Sequence, residues 1–106
     1  MSPKPGEVYL IDLGMVGKVR PAVVVSREDP DSPRAICTFV PITSQSRGSH
    51  YEVTLGKPKF LKEPESWANV QALASVGHEK LLRGLGRISP EQLSAVKDAL
   101  RFALDL

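Results

Sequence analysis

Hydrophobic and polar positions along the chain divide it into a strand-rich first part and one helix at the end. Gly6 to Leu13, with Pro5 and Gly6 marking its entry, reads as a first strand. Arg20 or Pro21 to Ser26 is rich in Val and predicts a second, with the proline harmless if it occupies the first strand position. Ala35 to Ile42 and Tyr51 to Leu55 predict a third and a fourth. Short polar connections join them, among them Glu28–Pro33 and Thr43–Ser49, so an antiparallel sheet curling toward a barrel is expected. Lys57–Glu65 is punctuated by prolines and predicts an exposed loop, after which Trp67 to Val76 reads as one more strand burying Val70, Leu73 and Val76. His78 to Arg83 predicts one or two helical turns before Gly84 and Gly86. The clearest element is the last. Ser89 is a good N-cap, Pro90 fits the first helical position and Gln92 completes a capping box. Leu93, Val96, Leu100 and Ala103 follow at helical spacing, predicting a helix from Pro90 to about Leu104 packed on the sheet.

Composition narrows the function. The 106 residues suit one domain, and 42% hydrophobic with 25% charged residues is ordinary for a folded protein. A net charge of +2 does not imply a broad surface for nonspecific DNA binding. Lys18, Arg20, Arg27, Arg34 and Arg47 nevertheless all fall in the first half, a weak pointer to an anionic partner. One cysteine, Cys37, leaves no intrachain disulfide, and with only His50 and His78 beside it no zinc site is expected. Cys37 lies among apolar residues and reads as a core thiol. No apolar run approaches the ~18 residues of a membrane span and no signal-peptide core is visible, so a cytoplasmic protein without membrane attachment is the expectation.

Two strand ends carry the candidate chemistry. Arg20 opens Arg-Pro-Ala-Val-Val-Val-Ser, and Thr43 and Ser44 close Val-Pro-Ile-Thr-Ser-Gln. If the strands lie close, a cation that cannot lose its proton meets hydroxyl hydrogen-bonding groups, a combination suited to a phosphodiester. The plainer readings are a solvated cation at Arg20 and a turn capped by Thr43 and Ser44. His50 follows the Thr43 loop and titrates near neutrality, and Trp67 is able to stack on a base, but ordinary surface and packing roles serve for both.

Read in order, Gly6-Glu7-Val8-Tyr9, Asp12-Leu13, Arg20-Pro21 with Val23-Val24-Val25-Ser26, Val40 to Gly48, Glu52-Val53-Thr54-Leu55 and Leu85 to Leu93 resemble the MazF/PemK family of toxin endoribonucleases. The resemblance implies a mostly β fold with helices (α+β): a small, curled, SH3-like antiparallel barrel with a C-terminal helix, acting as a homodimer. It also implies sequence-specific cleavage of single-stranded RNA at short sequences, without metal or other cofactor, through the ribose 2′-OH to give 2′,3′-cyclic phosphate and 5′-OH ends, and neutralisation by a small antitoxin. Arg20 and Thr43 match the family's catalytic arginine and threonine, and Lys18, Ser44, Gln45 and Arg47 are the candidate RNA contacts. Two departures stand out. The connection Gly14 to Val19 is shorter than in many relatives, and Ala74 stands where a charge is common. They motivate an alternative, a weakly catalytic protein that binds RNA or an antitoxin. A second alternative is a CcdB-like gyrase inhibitor on the same fold, which would not need Arg20 and Thr43.

Overall fold

A computed structural model describes residues 2–14 and 18–106. Seven strands, β1 (Glu7–Asp12), β2 (Val19–Val24), β3 (Ile36–Thr43), β4 (Glu52–Gly56), β5 (Ser66–Asn69), β6 (Ala74–Gly77) and β7 (Leu81–Arg87), precede one helix, α1 (Pro90–Leu104). Every pairing is antiparallel, in the order β4-β5-β3-β2-β1-β7, with β6 also on β3. The strands form an open sheet whose end strands β4 and β7 do not pair, rather than a closed barrel.

β2 and β3 are apolar almost throughout because both of their faces are covered. Val8, Val23, Val40, Ala68 and Val70 meet Val96 and Ala99 of α1 in the main core. On the other face Ile11, Ala22 and Phe39 form a second, smaller cluster. Cys37 is buried as expected, and burial pushes its thiol up. The helix has the predicted limits, and Ser89 and Gln92 form the reciprocal capping box. Gln92 also donates its side-chain amide to the Leu55 carbonyl at 3.2 Å, tying the helix start to β4. No helix among the described residues is long and apolar enough to cross a membrane.

Four sequence expectations need correction. The stretch Trp67–Val76 is two strands, not one: a 3-10 turn at Val70–Ala72 separates β5 from β6. Both strands lie along β3, and their register on it differs by the three residues of that turn. Asn69 stabilises the break by accepting the Gln71 N–H at 3.1 Å. Val70 is buried, whereas Leu73 and Val76 are half-buried. Next, His78–Arg83 is helical only over the single 3-10 turn His78–Lys80; from Leu81 the chain is β7, paired with β1 through Gly84 and Gly86. Gly86 is needed there because the Phe60 ring lies over it and would meet a Cβ at 2.5 Å, whereas a Cβ on Gly84 would make only an ordinary contact with Tyr9 at 3.6 Å. Finally, Phe60 and Leu61 are not free loop residues; both are half-buried against the main core. The second strand also begins earlier than expected, at Val19, so Pro21 takes its third position, one residue before the ladder to β3 starts at Ala22.

Candidate active site

The open end of the β2–β3 pair forms the rim of a cleft of about 560 Å³. Continued two residues past Ala22↔Pro41, the β2–β3 register sets Arg20 across from Thr43. Arg20, Thr43 and Ser44 all line this cleft, so the cation and hydroxyls that the sequence set at separate strand ends come together. Arg20 is exposed, and no described residue forms a hydrogen bond or ion pair with its guanidinium. Phe60 and Leu61 from the β4–β5 connection and Leu85 from β7 supply apolar wall, while Lys62 and Arg83 add cations. Ser66, at the start of β5, also lines the cleft; its hydroxyl is buried and has no hydrogen-bond partner among the described residues.

Thr43 continues into a second cleft of about 310 Å³, lined also by Gln45, Arg47, Ser49, Glu52, Asn69 and Gln71. The Thr43 hydroxyl accepts the Gln45 N–H at 3.1 Å and faces the Gln45 carbonyl at a long 3.4 Å. The turn-capping reading of Thr43 is therefore correct, and the weak second bond leaves its proton free to turn toward a ligand. Glu52 organises the rest of the loop. Its carboxylate accepts the N–H groups of Arg47 and Ser49 at 3.0 Å and the hydroxyls of Ser49 and Ser46 at 3.2 and 3.5 Å. The backbone bonds from Ser49 and then Arg47 hold the Glu52 carboxyl below the usual carboxylate range.

Other residues singled out in the sequence lie apart. Lys18 precedes β2 and lines neither cleft. The connection Gly14–Val19 includes residues 15–17, which are outside the described residues. Ala74 is exposed on β6 opposite Phe39, again outside both clefts. The His50 ring rests near Phe102 of α1, their centroids 5.5 Å apart, and Trp67 is half-buried opposite Thr43.

Comparison with known proteins agrees with this geometry. A family model described as a PemK-like, MazF-like toxin of type II toxin–antitoxin systems matches residues 4–104. The chain belongs to this family. Two relatives from Mycobacterium tuberculosis are named Endoribonuclease MazF9 and Probable endoribonuclease MazF5. MazF9 is 30% identical over 112 residues, covering 95% of each chain. MazF5 is 34% identical over 104 residues, covering 97% of this chain and 94% of the relative. Among solved structures, an endoribonuclease in complex with its cognate antitoxin from a mycobacterial species superposes with a TM-score of 0.84 at 27% identity, covering 98% and 96% of the two chains. A further endoribonuclease from a mycobacterial species gives a TM-score of 0.83 at 25% identity, covering 100% of this chain and 94% of that one. The open antiparallel sheet with its C-terminal helix is thus the fold of MazF-like proteins.

Within this MazF-like frame, Lys62, Ser66, Arg83, Asn69 and Gln71 are residues that the sequence did not single out for the site. Only the polar character of Lys62 left any trace in it, since Asn69-Val70-Gln71 reads there as part of one continuous strand. Arg83 was masked by being read as helix, when β7 brings it beside β1 and so to the cleft.

Proposed function

We propose that the protein is the toxin of a type II toxin–antitoxin pair and cleaves single-stranded RNA at the first cleft, acting in the cytoplasm where its substrate is. The observation that carries the reading is the presence of Arg20 and Thr43 in one cleft of a chain belonging to the MazF-like family. The ribose 2′-oxygen attacks the adjacent phosphorus, the bond to the 5′-oxygen breaks, and the ends become a 2′,3′-cyclic phosphate and a 5′-OH. The 2′-OH loses its proton, to solvent, and the leaving 5′-oxygen gains one. In this reading no metal or other cofactor takes part: the nucleophile belongs to the substrate, and the guanidinium of Arg20 supplies the positive charge that the phosphorane needs.

Arg20 gives its fork of N–H donors to the nonbridging phosphate oxygens, whose charge grows as the phosphorane forms. Thr43 turns its hydroxyl proton from the long Gln45 contact to the scissile phosphate and holds it in place. Ser44, on the same rim, and Gln45 and Arg47 in the neighbouring cleft contact the flanking RNA. Lys18, outside both clefts, contributes at longer range by its charge. The working unit is a homodimer, in which a twofold axis doubles the groove. A small antitoxin occupies the same surface and competes with RNA; a mycobacterial endoribonuclease of the same fold is known in complex with its own cognate antitoxin.

The reading is tested by mapping the ends that the protein makes on a long defined RNA in EDTA. Arg20→Ala is expected to reduce turnover about 10²-fold or more, the usual effect of removing one preorganised transition-state donor. It leaves folding intact, because the side chain is exposed. Full cleavage by Arg20→Ala, or loss of wild-type cleavage in EDTA, would overturn the mechanism.

A further inference from the structure

Alternate residues of a strand share a face, so Ser66 and Ala68 of β5 point to the same side of the sheet. Ala68 is fully buried in the main core, in register with Ile42 of β3. Ser66 is 1% exposed, the single polar residue buried among the described residues. A position of this kind suits an apolar side chain, and the fold makes no use of the hydroxyl: its oxygen has no hydrogen-bond partner among the described residues. A buried hydroxyl left unpaired destabilises a protein, and an alanine in its place carries no such penalty. The folded chain by itself therefore gives no reason for a serine here.

Ser66 does have a place in the first cleft. It precedes Trp67, which pairs with Thr43, so Ser66 and the site end of β3 lie on adjoining strands. The side chains of Arg20, Lys62 and Arg83, which line the same cleft, form no hydrogen bond or ion pair with a described residue. Glu63 is the one carboxylate among the lining residues. Three uncommitted cations against one carboxylate favour an anionic occupant. A hydroxyl that donates to an anionic oxygen makes a stronger bond than one between neutral groups. A serine side chain turns between staggered χ1 positions, so a hydroxyl just beneath the cleft lining meets a ligand oxygen by one such turn.

We infer that Ser66 is a substrate-binding residue, whose hydroxyl hydrogen-bonds a phosphate oxygen of the RNA strand held in the first cleft. The inference rests on the endoribonuclease reading and adds to Arg20 and Thr43 a third contact, contributed by β5. The ligand completes a hydroxyl that the free protein leaves unpaired, so stability is given up at Ser66 in favour of binding.

The test joins unfolding to binding for wild type, Ser66→Ala and Ser66→Cys. In urea, free Ser66→Ala is expected to show a midpoint equal to or higher than that of wild type, at unchanged slope. The binding probe is the tightest binder among short single strands that tile a long defined RNA, with fluorine in place of every 2′-OH so that none is cut. By fluorescence anisotropy, Ser66→Ala is expected to bind it about tenfold or more weakly. Ser66→Cys, a weaker donor of similar size, falls between. A neutral methylphosphonate placed at each phosphate of the probe in turn then locates the contact. At one phosphate the difference between wild type and Ser66→Ala disappears, because the partner oxygen is gone. A lower urea midpoint for Ser66→Ala would show that the fold itself uses the hydroxyl and would overturn the inference. Affinity equal to wild type, a loss that no single methylphosphonate removes, or no binding by wild type would overturn it too. Cleavage of the all-ribose RNA is followed in parallel. A wild type that cleaves while Ser66→Ala binds equally well overturns the Ser66 contact alone. A wild type that binds through Ser66 without cutting overturns the endoribonuclease reading and leaves the contact standing.

Discussion

The interior of β3 and the loop that follows it are held in opposite ways. Phe39 and Val40 are buried on the two faces of the sheet, each among several apolar neighbours, so no single contact defines their position. Beyond Thr43 the chain is exposed from Ser44 to His50, and one carboxylate, Glu52, gathers much of that loop. Redundant packing makes the strand a rigid mount. A loop gathered by a single charged group is specific in geometry but open to solvent, and Thr43 sits at the join. The difference explains how one short segment supplies both rigid placement and an accessible surface, the one proposed above to meet RNA.

Breaking the packed region should have the largest effect. Phe39→Ala is expected to cost about 3–5 kcal/mol of stability, the usual range for removing a buried phenyl ring. A shift of the urea midpoint at unchanged slope measures it. Gly86→Ala should cost about 1–3 kcal/mol, because its new methyl group would displace the Phe60 ring that walls the first cleft. Unlike Phe39→Ala it should also change cleavage per folded molecule. An unaltered rate and stability in Gly86→Ala would show that Phe60 swings away freely.

The loop should respond to acid while the core does not. The Glu52 carboxyl is held low in the folded protein by the Ser49 and Arg47 N–H groups, so ionisation there favours the folded loop. That contribution is fully present above the ordinary carboxylate range and is lost as pH falls through the lower, folded-state value. In an NMR titration the amide resonances of Arg47 and Ser49 should move together, with a midpoint more acidic than that of a glutamate in a blocked peptide. Amides of Val23 and Val40 should stay in place over the same step. A midpoint at or above the peptide value would show that Glu52 does not gather the loop.

What the sequence made legible follows the same division. β1 to β4, the capped helix and Cys37 in the core were readable because each depends on local patterning: Val and Ile runs, turn residues, a Ser-Pro-Glu-Gln cap. The joining of Arg20 and Thr43 in one cleft depended on strands lying side by side, which two strand ends suggest only if register is known. β7 was hidden because its Gly86 suits a ring contributed by Phe60, distant in sequence. The β5–β6 break was hidden for a similar reason. Ala and Val at Ala68-Asn69-Val70-Gln71-Ala72 continue a strand pattern, and the turn arises from the way both halves share β3. Glu52 looked like a routine polar position on an alternating strand, since its hydrogen-bond partners appear only when the loop folds back.

The central claim is that the strand end at Arg20 and Thr43 cuts RNA by way of the substrate's own 2′-OH. A single RNA oligonucleotide containing one mapped cut site tests it, compared with the same oligonucleotide carrying 2′-deoxyribose only at the nucleotide 5′ to the cut. The account predicts that the all-ribose strand yields a 2′,3′-cyclic phosphate and a 5′-OH, and that the substituted strand binds with similar affinity but is not cut. Cleavage of the substituted strand at the same position and rate would contradict it.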